Sequence, residues 1–217
     1  MQNLLCYLKN PIYCSNKKPK VIYLLFLFCI YIGVAISIGI IGSIICNLFH
    51  IKHDEIKLTP LMTILAGILL APIYEEIIFR SLLKFKINNI ILFIATLTFF
   101  IVYFVFRSKI ELVIIFSILL FTLLFLLIIY SRSKIELFLS SKFKYFFYAT
   151  ALTFGLVHAS NFTGDTYLIL AFSLILGGPQ IVLGFILGYI RMNYGLIYSM
   201  LFHMIVNTSI LFSVFHK

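Results

Sequence analysis

Residues 68–83 read ILLAPIYEEIIFRSLL, which places two glutamates and one arginine within a run of apolar side chains. A charge at the centre of a bilayer costs about 3 kcal/mol on insertion scales, so a charged residue there is by default a functional candidate. Glu76 and Arg80 are four residues apart and can pair on one face of a helix. Glu75 is rotated by about 100° from Glu76. It is therefore the acid that needs a polar partner from another helix.

The composition of the whole chain explains why these charges stand out. The protein has 217 residues, of which 63% are hydrophobic and only 11% charged, and its mean hydropathy is +1.13. Soluble domains carry about a quarter charged residues. The composition excludes a soluble globular enzyme, a disordered tail and a nucleic-acid-binding module. It predicts an all-α, polytopic helical membrane protein whose net charge of +10 marks loops that contact anionic headgroups of the lipid bilayer.

Seven apolar runs have about the length that a helix needs to cross the hydrocarbon. They cover residues 21–49, 58–83, 87–106, 110–130, 145–160, 167–190 and 195–215. Gly177, Gly178 and Pro179 break the sixth run. The predicted organisation is a basic cytoplasmic segment at 1–20, a first transmembrane helix with its loop at 21–57, and the main intramembrane domain at 58–215.

The basic residues predict the orientation of these spans in the membrane. If the N-terminus is cytoplasmic, eleven Lys and Arg residues lie inside and five outside, which fits the positive-inside rule. The inside residues are Lys9, Lys17, Lys18, Lys20, Lys84, Lys86, Arg132, Lys134, Lys142, Lys144 and Arg191; the outside ones are Lys52, Lys57, Arg107, Lys109 and Lys217.

Five of the seven acidic residues fall in loops or at span ends, which leaves Glu75 and Glu76 within a span. Few polar residues in the other spans can be partners of Glu75. His158 lies in the fifth run, and His203 and Asn207 share one face of the last. Counted from the nearest inside basic residue, Glu75, His158 and His203 lie roughly 14, 21 and 18 Å deep at 1.5 Å per residue. A lone His or Asn in a span is often a contact between helices. Three ionisable residues at similar depth favour one shared site.

The chemistry of this set is that of a hydrolase without a covalent nucleophile. A glutamate near a histidine can activate water as a general base, and a second histidine with an asparagine amide can hold an oxyanion. No G-x-S-x-G or H-E-x-x-H motif is present. No cofactor is expected, although two histidines and a glutamate can also ligate zinc. A proton-coupled transporter with a Glu–His relay is a further alternative.

The order of these residues resembles the three motifs of the CPBP intramembrane proteases, the CAAX prenyl protease and bacteriocin-processing (Abi) family. The matching residues are Glu75-Glu76-x-x-x-Arg80, Phe154-x-x-x-His158 and His203-x-x-x-Asn207. The resemblance covers about 72–207 and implies a glutamate-dependent membrane endopeptidase that cleaves a membrane-tethered protein or peptide.

The resemblance also implies a role for each site residue. Glu75 and His158 would activate the water, His203 and Asn207 would stabilise the oxyanion, and Glu76 and Arg80 would position the site. A non-catalytic bacteriocin-immunity or membrane binding protein of the same fold is the alternative within the family. The bias towards Ile, Phe, Lys and Asn is typical of an AT-rich genome and indicates a bacterial cytoplasmic membrane.

The chain departs from the family pattern between its first and second motifs. Seventy-three residues separate Arg80 from Phe154, which leaves room for an extra hairpin at about 87–142. That hairpin contains the sequence RSKIEL twice, at Arg107–Leu112 and at Arg132–Leu137. The repeat favours a local duplication that added membrane segments without changing the side from which His158 enters.

Overall fold

The computed structural model of the chain describes residues 4–12, 17–54, 60–106 and 110–215. These residues are almost wholly helical, which confirms the predicted class. The helices are α1 (Leu4–Lys9), α2 (Val21–Leu48), α3 (Pro60–Thr63), α4 (Ala71–Arg80), α5 (Ile87–Phe106), α6 (Ile110–Tyr130), α7 (Arg132–Ser141), α8 (Phe143–His158), α9 (Thr166–Leu176), α10 (Gly178–Asn193) and α11 (Leu196–Phe215). Single 3₁₀ turns follow α4 at Ser81–Leu83 and α8 at Ala159–Asn161.

The helix that carries the two glutamates is preceded by a wider turn of backbone. Between α3 and α4, Ile64–Leu70 is a π-helix, so the chain stays helical from Pro60 to Arg80. Pro72 lies within this continuous helix and has no N–H, so it donates no backbone hydrogen bond to the preceding turn. Stretches of π-helix occur frequently at functional sites, and this one ends one turn before Glu75.

Helix α10 is the centre of the fold and packs against α2, α8 and α11. Its closest neighbour is α8, which it meets through Gly184 and Gly188. A Cβ at Gly184 would lie 2.9 Å from the carbonyl oxygen of Ala151, and one at Gly188 would lie 2.7 Å from the Phe147 ring. Small residues let helix backbones approach closely in membranes. This contact fixes α8, and therefore His158 at its C-terminal end.

Segments that the sequence places on one side of the membrane meet at one end of the bundle. At one end, the backbone N–H of Lys17 donates to Asn193 at 2.7 Å, and the Arg191 Nε donates to the Arg80 carbonyl at 3.1 Å. At the other end, β1 (Lys52–His53) pairs antiparallel with β2 (Phe162–Thr163). The two ends of the bundle therefore collect the loops predicted to be inside and outside, respectively.

Helix length and composition identify between one and three membrane spans among the described residues. Among the described residues, α2 alone is long and apolar enough to cross a membrane by itself. Two bent pairs raise the number to three if each is one span: α6 with α7, bent by 71°, and α9 with α10, bent by 42°. The second bend falls at the predicted break at Gly177. Shorter apolar stretches occupy α5 and α11. The count of seven therefore stays a prediction.

The segment between Arg132 and Lys144 is not the simple loop that the sequence predicts. It forms α7, which begins with the second RSKIEL copy and exposes Leu137 and Phe138. The ten residues remain helical because they carry no glycine or proline. The first copy begins at 107–109, outside the described residues. The side chains of Cys14, Glu55, Lys57, Arg107, Lys109, Glu111, His216 and Lys217 also lie outside the described part.

Candidate active site

Glu75 lies between two histidines that come from two other helices. Its Oε1 is 3.8 Å from the Nε2 of His158 on α8, and its Oε2 is 3.5 Å from the Nε2 of His203 on α11. The side chain of Glu75 is 27% exposed and that of His158 is 20% exposed, whereas His203 is 2% exposed. The structure thus brings together the three ionisable residues that the sequence placed at similar depth, and leaves the site open at Glu75 and His158.

The other ring nitrogen of each histidine has a partner that accepts hydrogen bonds. The Nδ1 of His158 is 2.7 Å from the carbonyl oxygen of Phe154, which can only accept, so this nitrogen carries the proton. The Nδ1 of His203 is 3.2 Å from Oε1 of Glu76 and donates to it when Glu76 is ionised. In the neutral imidazoles, both Nε2 atoms therefore turn a lone pair towards Glu75.

Glu76 is the fully buried member of the glutamate pair, and three side chains surround its carboxylate. Arg80 Nη1 lies 3.5 Å from Oε1, so the predicted i, i+4 ion pair is formed. His203 donates to the same oxygen, and the Ser199 hydroxyl donates to Oε2. A buried charge is tolerated when it is paired and hydrogen-bonded. Glu76 therefore anchors α11 to α4.

The ring of Phe154 is the surface on which the charged residues pack. The guanidinium carbon of Arg80 lies 3.9 Å from the ring centroid, a cation–π contact. The His158 and His203 rings lie 4.8 and 5.7 Å away, both edge to face. Among the described residues, Arg80 Nη1 and Nη2 have no hydrogen-bond partner, so the aromatic face and Glu76 hold this cation.

Asn207, the last predicted site residue, lies one turn beyond His203 on α11. Its Nδ2 donates to the carbonyl oxygen of Gly67 at 2.8 Å. Gly67 belongs to the π-helix before α4, where the helical hydrogen-bond pattern shifts by one residue. This bond attaches α11 to the segment that leads into Glu75, and the amide keeps a second hydrogen for another acceptor.

Two residues of the site are absent from the sequence prediction. Ser199 lies four residues before His203, so the pattern Ser199-x-x-x-His203-x-x-x-Asn207 on one helix face was the available signal. Arg191 is buried, and its guanidinium donates to the carbonyls of Arg80 and Ser81 at 3.1 and 3.3 Å. It satisfies carbonyls that the end of α4 leaves unpaired. No sequence spacing connects Arg191 to α4.

The described residues were also compared with the ligand geometry of a metal site. Among these residues, no group of three or more His, Cys, Asp or Glu side chains is arranged to hold a metal ion. The carboxylate of Glu75 lies 3.5 and 3.8 Å from the two Nε2 atoms.

Comparison of the chain with protein-family models, with characterised proteins and with solved structures finds no match.

Proposed function

We propose that the protein is an intramembrane endopeptidase of the CPBP type, which hydrolyses a peptide bond of a membrane-tethered protein or peptide with water activated by Glu75 and His158. The observation that carries the proposal is the position of Glu75, partly exposed and facing two imidazole nitrogens from different helices. A buried structural ion pair accounts for Glu76 and Arg80 but leaves Glu75 without a structural role.

The distance between Glu75 and His158 leaves room for a water molecule that hydrogen-bonds to both side chains. In the neutral histidine, Glu75 Oε1 and His158 Nε2 are both acceptors, and two acceptors 3.8 Å apart repel unless a donor serves both. A water molecule can donate one hydrogen to each of them, and polar contacts of this length are commonly bridged by water. This water would be held by its hydrogens, with a lone pair on its oxygen directed at the substrate.

The proposed reaction then follows general acid–base chemistry. Glu75 takes a proton from the water as its oxygen attacks the peptide carbonyl carbon, and His158 orients the same water. The negative charge that develops on the carbonyl oxygen is stabilised by the second amide N–H of Asn207 and by protonated His203, whose Nε2 then carries an N–H while Nδ1 still donates to Glu76. When the carbon–nitrogen bond breaks, Glu75 returns the proton to the leaving amine. The atoms balance with no covalent intermediate and no cofactor.

The proposal includes seven membrane segments with a cytoplasmic N-terminus, in a bacterial cytoplasmic membrane. It is supported by the agreement between the seven apolar runs and the helices, and by the meeting of loops from one predicted side at one end of the bundle. Large apolar side chains are exposed along α2, α6 and α9, as lipid contact requires.

Cleavage of membrane-tethered peptides by the purified protein in liposomes tests this function. We expect Glu75→Ala and His158→Ala to lower the cleavage rate at least 100-fold, the range of general acid–base catalysis. Glu136→Ala, which removes an exposed glutamate on α7, is the matched control and should cleave at the wild-type rate. Unchanged cleavage by the Glu75→Ala and His158→Ala variants would contradict the proposal. A strong chelator should leave the wild-type rate unchanged, whereas its loss would indicate a metal-dependent reaction.

A further inference from the structure

A cavity of about 360 Å³ is lined in part by His158. Its walls come from α2, from the junction of α9 and α10, and from the end of the β1–β2 pair. His158 is the one residue that the cavity shares with the Glu75 site as described above. A group bound in this cavity would therefore lie beside His158, the residue proposed to orient the water.

The α2 wall of the cavity consists of Ile38 and four small residues, Gly39, Gly42, Ser43 and Cys46. Gly42 is buried, yet a Cβ built on it would have no other heavy atom within 4 Å. Open space therefore lies beside Gly42. The other lining side chains include Ile175, Leu176 and Pro179, and none of the lining residues is Lys, Arg, Asp or Glu. An uncharged, apolar group fits such walls, because an unpaired charge would be costly there.

Gln180 supplies a polar group on the opposite wall of the cavity. It lies in the first turn of α10, and its side-chain Oε1 is buried without a hydrogen-bond partner among the described residues. A buried polar atom without a partner costs about 1–3 kcal/mol, so the carboxamide gains when a ligand supplies that partner. A peptide bound in an extended form carries free backbone N–H and C=O groups that can do so.

We propose that this cavity is the pocket for one apolar side chain next to the scissile bond, and that Gln180 hydrogen-bonds the backbone of the same substrate segment. The proposal rests on the proposed function, since it takes His158 as part of the catalytic site. It predicts a preference for Leu-sized over Gly-sized residues at one position flanking the cleaved bond.

Cys46 provides a readout that does not depend on catalysis. It lines the cavity and is a free thiol, whereas Cys6 is an exposed thiol on α1, outside the predicted spans, and serves as the internal control. The probes are two membrane-tethered peptides in which the scissile amide is reduced to an amine, identical except for Leu or Gly beside that bond. We expect the Leu peptide to slow alkylation of Cys46 by N-ethylmaleimide at least fivefold, as followed by mass spectrometry. The Gly peptide should have little effect, and Cys6 should react at the same rate throughout.

Two glycine variants of α2 decide whether the cavity itself causes the protection. Gly42→Leu places a side chain into the cavity and should abolish protection of Cys46 by the Leu peptide. Gly33→Leu is the matched control, because its Cβ also has open space but it does not line the cavity. This variant should keep full protection. Equal Cys46 reactivity with and without the Leu peptide, or undiminished protection in Gly42→Leu, would overturn the proposal.

The catalytic measurement separates this proposal from the proposed function. In Gly42→Leu, the ratio of kcat/KM for Leu-containing over Gly-containing substrates should fall at least tenfold, in the range typical of apolar pockets. Cleavage that requires Glu75 but shows the same ratio in Gly42→Leu and Gly33→Leu would refute the pocket and leave the protease intact. Protection of Cys46 without any Glu75-dependent cleavage would support the pocket and refute the protease.

Discussion

Two adjacent glutamates in α4 have opposite environments, and this difference divides their roles. Glu76 is fully buried and surrounded by Arg80, His203 and Ser199, whereas Glu75 is 27% exposed and faces two Nε2 atoms. The 100° rotation between neighbouring helix positions produces the division. Spacing along the sequence was enough to assign Arg80 to Glu76. It could not show that His203 contacts both carboxylates, because that depends on how α11 packs.

The buried pair of Glu76 and Arg80 should be costly to break from one side. Arg80→Met leaves a buried carboxylate without its cation, and such changes cost about 3–5 kcal/mol. We expect a loss of this size in the free energy of unfolding, measured by titrating the detergent-solubilised protein with dodecyl sulfate. The double variant Glu76→Gln/Arg80→Met removes both charges and should recover most of the loss. The control is Arg132→Met at an exposed position of α7; equal stability of Arg80→Met and this control would show that the pair is dispensable.

Ser199 should matter for stability as a donor to Glu76. Ser199→Ala removes one of the hydrogen bonds to a fully buried carboxylate, which costs about 1–3 kcal/mol. Ser209→Ala is the matched control on the same helix, because the Ser209 hydroxyl bonds only its own helix at Val206. The melting temperature in detergent should fall clearly for Ser199→Ala and by much less for Ser209→Ala. Equal melting temperatures for Ser199→Ala and Ser209→Ala would show that the hydrogen bond from Ser199 to Glu76 does not stabilise the protein.

At the scale of elements, the contact between α8 and α10 determines where His158 lies relative to Glu75. Gly184, Gly188 and Ala151 allow the two backbones to approach. The sequence shows the glycines of α10 but does not predict that they pack against α8. A small residue allows a close approach without specifying which helix makes it. The bend between α9 and α10 was predictable, since Gly177 and Pro179 interrupt the run.

A large side chain at Gly184 should disrupt the site without touching it. In Gly184→Leu the new Cβ meets the Ala151 carbonyl oxygen at 2.9 Å, so α8 must move away from α10. Overpacking of this kind costs about 1–3 kcal/mol, and the displacement of His158 should lower the cleavage rate at least tenfold. Gly33→Leu adds the same side chain where nothing lies within 4 Å and should leave both quantities unchanged. A wild-type melting temperature and cleavage rate in Gly184→Leu would show that the contact between α8 and α10 does not determine the position of His158.

At the scale of the whole molecule, the proposed topology puts the two ends of α8 on opposite sides of the membrane. Its 16 residues span roughly 24 Å at 1.5 Å per residue. Ser141 precedes the helix, and Tyr167, which is 82% exposed, follows it. In a variant without native cysteines, a membrane-impermeant maleimide should label Tyr167→Cys on intact cells. It should label Ser141→Cys only after permeabilisation. Labelling of both residues from one side would contradict the seven-span arrangement.

The sequence was most informative where physical rules act locally and least where packing decides. The low charge and the long apolar runs predicted helices. Because few acidic residues lie within these runs, Glu75 could be identified as the candidate catalytic acid. The helical state of Arg132–Ser141 was missed, because its charges resemble those of a loop while its residues all tolerate a helix. The cavity beside His158 was also beyond prediction, since it forms among segments far apart in the chain.

The central claim, that Glu75 is the base that activates water, is tested most directly by the single-turnover cleavage rate of Glu75→Gln. This change keeps the size of the side chain and removes its basicity. Glu136→Gln in α7 is the control. The account predicts a rate at least 100-fold below the wild type for Glu75→Gln, with an unchanged melting temperature, and a wild-type rate for the control. A Glu75→Gln rate within threefold of the wild type would contradict it.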